Sequence, residues 1–285
     1  MSQQTVVPAV HRLAQARAQE NFPVALRVLP RRHRRHLVAI YGYARHVDDV
    51  GDEPVAPGVD RLAELNRVEA ELRALYAGRT VSHPVVRALA STVADCHLPL
   101  DALVRLVEAN RVDQRVTRYE TFAQLVDYCT LSANPVGELV LHVFGQVGQA
   151  RRELSDRICT ALQLVEHLQD VAEDHRRGRI YLPAEDLARF GVGEDELARP
   201  AASRALRELI AFEAERARAW LDAGAPLVSA LHGWARLAVG GYLAGGRATL
   251  DALAEVDHDP LRWTVRPRRG RMLRRLASAT VRSAG

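Results

Sequence analysis

The sequence predicts an all-α protein, and three observations support this fold class. Ala, Leu, Arg and Glu recur at spacings of three and four residues, as they do on amphipathic helices. Runs with the alternating pattern of β-strands are almost absent. Pro and Gly fall at helix-length intervals, and no Ser/Gly-rich linker divides the chain. We therefore expect one domain over residues 1–285, built as a multi-helix bundle, in which residues 262–285 form a basic C-terminal tail.

The individual helices follow from the apolar periodicity, and their ends follow from Pro and Gly residues. With 48% hydrophobic residues, the chain can bury a substantial core. The expected helices cover residues 8–20, 32–53, 59–77, 83–96, 100–115, 121–131, 135–149, 153–177, 203–222, 226–247 and 248–255. The expected breaks fall at Pro54, Pro57, Gly78, Pro99, Pro135, Gly178 and Pro226.

The basic residues exclude some chemistries. All 39 are arginines, so neither a Schiff-base lysine nor a Walker-type phosphate loop is available. Arginine still binds phosphate well through its planar guanidinium group. The arginines that follow Arg262 suggest an anionic partner, which is a phosphorylated substrate or an acidic membrane surface. The tail lacks interleaved aromatic residues, so we expect no nucleic-acid partner.

Cysteine usage and hydropathy bear on location. Cys96, Cys129 and Cys159 are isolated and odd in number, as expected for reduced thiols in a cytoplasmic protein. The N-terminus has no secretory signal pattern, and no apolar run reaches the length of a membrane span. We expect a cytoplasmic protein, with peripheral contact at the inner membrane face, or with neighbouring pathway enzymes, left open.

Two clusters of carboxylates, at residues 48–53 and 170–174, are the strongest indication of function. Asp48 and Asp52 are four residues apart, as are Asp170 and Asp174, so each pair could lie on one helical face. Each cluster follows a mostly apolar helix, which would partly desolvate the carboxylates and favour binding of a hard divalent cation. The alternative is a pair of solvated acidic faces. The glycine-rich helix 226–247 could likewise serve close packing or leave room for an apolar ligand.

The choice of metal follows from the remaining residues. A di-iron bundle requires two Glu-x-x-His motifs, but only Glu255 and His258 fit, directly before Pro260. Cysteine and histidine spacing offers no zinc site. Oxygen-rich clusters favour magnesium, which commonly bridges carboxylates and substrate phosphates. With arginines nearby, the two clusters suggest a bound diphosphate that ionises and leaves a carbocation in an apolar pocket.

The motifs resemble those of squalene and phytoene synthases over roughly residues 10–260. The similar segments are YGYARHVDDVGD at 41–52, YCTLSANPVG at 128–137, QLVEHLQDVAED at 163–174 and GRIYLP at 178–183. The segments ENFPVA at 20–25 and SANPVG at 132–137 resemble most closely the hydroxysqualene synthase branch of bacterial hopanoid biosynthesis. The resemblance implies an isoprenoid-synthase bundle with a central apolar pocket, and conversion of presqualene diphosphate and water to hydroxysqualene and diphosphate.

The same resemblance implies roles for individual residues. Two or three magnesium ions would be held by Asp48, Asp52, Glu166, Asp170 and Asp174, and no NADPH would be used. The first carboxylate cluster would be supported by Asp49, and the pocket would include the aromatic residue Tyr128 as part of the catalytic site. The substrate would be contacted by Asn21, Phe22, Tyr41, Arg45, Gln163, Glu166, Gln169 and Tyr242, and the arginines after 262 could close over the phosphate mouth.

Two positions depart from the pattern common in the family. Glu166 stands where many members have Asn, and Gln169 stands where many have an Arg that contacts phosphate. These changes bear on substrate preference and rate. Alternatives therefore stay open: a presqualene diphosphate, squalene or phytoene synthase acting on farnesyl or geranylgeranyl diphosphate, or a non-catalytic assembly factor with the same fold.

Overall fold

A computed structural model describes residues 28–52 and 60–266 of the chain. Within these residues the regular structure is helical and contains no β-strand, which confirms the all-α prediction. The helices are α1 (Arg31–Asp52), α2 (Arg61–Tyr76), α3 (Pro84–Cys96), α4 (Leu100–Asp113), α5 (Phe122–Ser132), α6 (Asn134–Val143), α7 (Gln149–Gln169), α8 (Val171–Arg176), α9 (Ala184–Phe190), α10 (Arg204–Gly224), α11 (Pro226–Ala230) and α12 (Gly233–Glu255), with a 3₁₀ turn at Glu194–Ala198.

Local capping explains where several helices begin. The Asp60 carboxylate accepts hydrogen bonds from the backbone N–H groups of Leu62 and Ala63 at the start of α2. Thr121 caps α5 and Ser203 caps α10 in the same way, because each hydroxyl oxygen accepts a hydrogen bond from the backbone N–H group three residues ahead. These side chains satisfy donors that have no partner within the helix, and so they fix the register of the first turn.

Most predicted boundaries are correct within about two residues, but three predictions are wrong. Helix α6 ends at Val143 and not at 149, because the chain turns at Gly145, which has a left-handed φ of 64°. The predicted helix 153–177 begins earlier, at Gln149, and breaks at Asp170. The predicted break at 247–248 does not exist, since α12 runs through it; the break lies before Gly233. Helix α9 and the 3₁₀ turn were not predicted, and the predicted helix 8–20 lies outside the described residues.

The long helix α7 occupies the centre of the bundle. It packs along α10, and also against α6 and α12. Glycines permit these close approaches: a Cβ on Gly224 would lie 2.6 Å from Ile158 Cγ1, and a Cβ on Gly246 would lie 2.7 Å from Leu162 Cδ2. Close packing is therefore one reason for the glycines of α12. No helix in the described ranges is long and apolar enough to cross a membrane.

Candidate active site

A cavity of about 620 Å³ opens between the central helices. Its walls come from α1, α4, α6, α7 and α12, with smaller contributions from α5, α8, α11 and residues 264–266. Most lining side chains are apolar, including Leu37, Ile40, Leu106, Val140, Ile158, Leu162 and Val239. This volume lies within the range of small-molecule sites, about 300–1,000 Å³. The predicted apolar pocket is therefore present.

Carboxylates from two parts of the fold line this cavity, and we call the part of the lining that they form the mouth. Asp48 reaches it from α1, and Glu166, Asp170 and Glu173 reach it from the end of α7 and the start of α8. Four further predicted substrate-binding residues also line the cavity: Tyr41, Gln163, Gln169 and Tyr242. One carboxylate of the first cluster and two residues of the second therefore line the same largely apolar cavity.

Asp48 is held by a neighbour that the sequence analysis did not identify. The Asn110 amide of α4 donates a hydrogen bond of 3.1 Å to Asp48 Oδ1. Asp48 lines the cavity and keeps an exposed surface, although many protein atoms lie around its carboxylate. Burial raises its pKa to about 6, and the Asp52 carboxylate also raises it, while the Asn110 hydrogen bond opposes the rise.

Gly51 makes the contact between Asn110 and Asp48 possible. A Cβ at Gly51 would lie only 2.1 Å from Asn110 Oδ1. Since Asn110 is almost fully buried, its side chain has little room to move away. The glycine inside the first carboxylate motif is therefore required by the packing of α4 against α1.

Asp52 does not reach the part of the cavity that the described residues line. Its carboxylate forms an ion pair of 2.6 Å with Arg179, and Arg177 approaches to 4.0 Å. The spacing of four residues from Asp48 is helical as predicted, but arginines from the segment after α8 neutralise Asp52. Its role as a magnesium ligand stays a prediction.

Arg45 and Asp49 likewise lie outside the lining contributed by residues 28–52 and 60–266. They form an ion pair with each other, with Arg45 Nε 2.8 Å from Asp49 Oδ1. The pair is partly exposed on α1. The structure therefore pairs the predicted diphosphate ligand Arg45 with the carboxylate that was expected to support the first cluster.

Asp170 stands at the break between α7 and α8, and Asp174 follows one turn later, where its backbone N–H donates a 2.8 Å hydrogen bond to the Asp170 carbonyl oxygen. Asp170 has non-helical dihedral angles, with φ −103° and ψ 14°. Asp174 lies 4.0 Å from the buried His167 and faces a small separate pocket that Arg179 and Tyr181 also line. Burial raises the pKa of Asp174 to about 8, with repulsion from Asp170 as the next cause. The expectation that Asp170 and Asp174 share one continuous helix is wrong.

The carboxylates fit magnesium better than they fit a preformed metal cage. In the described part of the chain, no three His, Cys, Asp or Glu side chains form a compact group that could hold a metal ion. Magnesium, however, commonly takes only one or two protein carboxylates and completes its shell with water and phosphate oxygens. Burial raises the pKa of both Asp48 and Asp170, so a cation at the mouth would restore their charged forms.

Tyr128 is placed away from the cavity lining formed by the described residues, and its role in the catalytic site stays a prediction. Its hydroxyl donates a 2.7 Å hydrogen bond to Asp113 Oδ2. Its ring packs near those of Tyr119 and Tyr181, and Tyr181 stacks on His167 with ring centroids 3.8 Å apart. The side chain therefore belongs to a buried polar and aromatic cluster behind the second carboxylate motif.

Two functional residues that the sequence analysis did not identify, Asn110 and Asp113, could have been predicted from their spacing on α4. Asn110 and Asp113 are spaced by three on α4, on the same side as the buried residues Leu103, Leu106 and Val107. Polar residues on the buried face of a helix require partners, and these two find Asp48 and Tyr128. Arg179 gave no comparable signal, because its partner lies 127 residues away in sequence.

The C-terminal segment contributes part of the mouth. Thr264, Val265 and Arg266 line the cavity, and the Arg262 guanidinium lies over the exposed Trp263 ring. Asn21 and Phe22 lie outside the described residues, as do the tail arginines after 266.

The fold and site together define a helical bundle with one largely apolar cavity that carboxylates and an arginine also line. Residues 15–272 match the family described as squalene/phytoene synthase. The chain belongs to this family, whose members are enzymes that process prenyl diphosphates.

Individual relatives carry more than one name. Hydroxysqualene synthase from Zymomonas mobilis is 35% identical over 247 residues, which cover 85% of this chain and 80% of that protein. Phytoene synthase from Mycobacterium tuberculosis is 34% identical over 214 residues, which cover 74% and 70%. The crystal structure of squalene synthase HpnC from Alicyclobacillus acidocaldarius superposes with a TM-score of 0.78 at 39% identity, covering 88% of this chain and 95% of that one.

Proposed function

We propose that the protein ionises a prenyl diphosphate whose charged end lies at the mouth and whose hydrocarbon chains fill the apolar cavity. The observation that carries this proposal is that Asp48, Glu166 and Asp170, from two separate parts of the fold, line one largely apolar cavity. Such an arrangement gives the charged end and the hydrocarbon part of one ligand separate binding surfaces in the protein.

Magnesium is the cofactor that suits this mouth. Asp48, Glu166 and Asp170 would hold it, and Asp52 and Asp174 remain further predicted ligands. When bound, magnesium supplies positive charge that stabilises a departing diphosphate. Two or three ions are expected from the family resemblance.

The chain's own residues perform the other tasks. Arg266, Tyr41 and Gln163 line the mouth region and can donate hydrogen bonds to diphosphate oxygens. The apolar walls keep bulk water from the carbocation after the carbon–oxygen bond breaks. Tyr242 lines the same cavity, and its ring can stabilise positive charge on carbon. Burial raises the pKa of Tyr242 to about 12, so it stays neutral at physiological pH.

The substrate we propose is presqualene diphosphate. Its carbon–oxygen bond breaks with the electron pair leaving on diphosphate, which leaves a cyclopropylcarbinyl cation. This cation rearranges as a carbon–carbon bond of the cyclopropane ring breaks, which gives an open-chain allylic carbocation. One water adds to the allylic carbocation and loses a proton, which gives hydroxysqualene. No NADPH is consumed, because the carbocation is captured by water and not by hydride. The similarity to hydroxysqualene synthase supports this choice. A phytoene synthase reaction on geranylgeranyl diphosphate is the second candidate, since a relative of that name is 34% identical.

The test is product identification in labelled water. Purified protein is incubated with presqualene, farnesyl or geranylgeranyl diphosphate in H₂¹⁸O, with and without magnesium and NADPH, and products are identified by mass spectrometry. We expect magnesium-dependent release of diphosphate from presqualene diphosphate, and one ¹⁸O atom in the hydroxysqualene formed. Presqualene diphosphate made from farnesyl diphosphate alone, or phytoene made from geranylgeranyl diphosphate, would assign the protein to another branch.

We also propose one isoprenoid-synthase domain over residues 1–285 and a cytoplasmic location. Peripheral contact with the inner membrane face suits a product as apolar as hydroxysqualene. Vesicle sedimentation with anionic phospholipids tests this contact, and the absence of co-sedimentation at low salt would contradict it.

A further inference from the structure

The segment that follows α12 reaches the cavity mouth at residues 264–266. Thr264, Val265 and Arg266 line the cavity together with Asp170 and Glu173. A basic side chain thereby joins the carboxylates on the surface where a diphosphate would lie.

The segment is held at two points, residue 265 and residue 259. The Val265 side chain is 4% exposed and belongs to the main apolar core. The Gln169 side-chain amide donates a hydrogen bond of 2.7 Å to the Val265 carbonyl oxygen. Upstream, the buried Asp259 carboxylate accepts hydrogen bonds from the N–H groups of Ala202 at 2.9 Å and Arg262 at 3.1 Å. The chain is therefore held at both ends between residues 259 and 265.

We propose that Gln169 is a positioning residue that fastens the C-terminal segment over the mouth and so places Arg266 against the diphosphate. This inference rests on the proposed function and deepens it. An amide can donate to a backbone carbonyl without adding charge, whereas an arginine at 169 would bring its own cation to the mouth. In this chain Arg266 supplies the positive charge. The neutral Gln169 holds the backbone at Val265, the residue before Arg266.

Limited trypsin digestion tests the fastening without any substrate. The Arg262–Trp263 bond lies between the two anchors, and Trp263 is 50% exposed. The Arg266–Pro267 bond resists trypsin because proline follows the arginine. Gln169→Met keeps the length of the side chain but removes the donor, and the rate of formation of the fragment ending at Arg262 is measured by mass spectrometry.

Gln146→Met is the matched control. The Gln146 side chain, like that of Gln169, donates to a backbone carbonyl, that of His232 at 3.0 Å, but Gln146 is buried and does not line the cavity. We expect Gln169→Met to raise cleavage at Arg262 on the order of tenfold, as for loss of one buried hydrogen bond, while the control changes it less than about twofold. Equal cleavage in Gln169→Met and wild type would overturn the proposal.

A double-mutant cycle then distinguishes positioning from direct contact. If Gln169 acts through Arg266, Gln169→Met and Arg266→Met each raise KM for presqualene diphosphate, and the double variant is no worse than the more impaired single variant. Effects that multiply would mean that Gln169 contacts the substrate itself, which also overturns the proposal. If no prenyl diphosphate is turned over, the proposed function fails, and the digestion result still decides whether Gln169 fastens the segment.

Discussion

Replacing Gly51 with alanine tests how the first carboxylate motif is built. The added Cβ would lie 2.1 Å from Asn110 Oδ1 and 3.3 Å from Asn110 Cβ, so the Asn110 side chain must move. Because Asn110 is buried and bonds both Asp48 at 3.1 Å and the Leu106 carbonyl at 3.2 Å, any move strains or breaks these bonds. We expect the free energy of unfolding to fall by about 1–2 kcal/mol, since overpacking outweighs the small gain in helix propensity.

The same substitution should alter the titration of Asp48. Burial raises the pKa of Asp48 to about 6 even though the Asn110 hydrogen bond opposes the rise. Loss of one hydrogen bond to a carboxylate is worth roughly 1.4 kcal/mol, which raises the pKa by about one further unit. Because protons compete with magnesium, the apparent magnesium affinity should fall roughly fivefold near pH 6 but only about twofold near pH 7.

Gly42→Ala on the same helix is the control. No atom lies within 4 Å of a Cβ placed at Gly42, so alanine there should stabilise α1 by roughly 0.5–1 kcal/mol and leave magnesium affinity unchanged. Urea unfolding gives the stabilities, and isothermal titration at the two pH values gives the affinities. If Gly51→Ala matches wild type in stability and in the pH dependence of magnesium binding, the account of Asn110 is wrong.

Three further substitutions probe the groups around the mouth. The pKa of Asp174 is raised to about 8 in the folded state, so the metal-free protein should lose stability as pH rises from about 4 to 8, by at most about 1.4 kcal/mol per pH unit. Asp174→Asn should flatten that slope in thermal melts with chelator present, and an unchanged slope would contradict the assignment. Arg179→Met should cost about 1–3 kcal/mol in urea unfolding, because Arg179 is 14% exposed, whereas the 53%-exposed Arg177 should tolerate the change within about 0.5 kcal/mol. Tyr128→Phe removes the shorter of the two tyrosine hydrogen bonds to the buried Asp113 and should lower stability by about 1–3 kcal/mol while kcat stays within about threefold. A large loss of kcat would mean that Tyr128 acts at the reacting atoms.

Much of the fold could be predicted because helix periodicity and capping are local properties. The apolar run ahead of Asp48 and the Pro and Gly breaks fixed most helix ends to within about two residues. The errors arose where local signals compete with packing. The break at Asp170 and the continuity of α12 through residue 248 depend on contacts with other helices, which periodicity does not encode.

The site was predictable only in part, for a related reason. The sequence indicated which carboxylates belong together, and the structure brings Asp48 and Asp170 to one cavity. It did not indicate that Arg179 would neutralise Asp52 across 127 residues, or that Gln169 would bond the Val265 carbonyl across 96. Such pairings are set by the way distant segments meet, and no spacing rule within one helix anticipates them.

Magnesium-dependent release of diphosphate from presqualene diphosphate is the most direct test of the central claim. Wild type is compared with Asp48→Asn and Asp170→Asn, and with Asp195→Asn, which removes the same charge from a side chain that is 77% exposed and away from the cavity. We predict that the two mouth variants lose about 100-fold or more in rate while folding normally, and that the control keeps the wild-type rate. Release by either mouth variant within about threefold of wild type would contradict a catalytic role for these carboxylates.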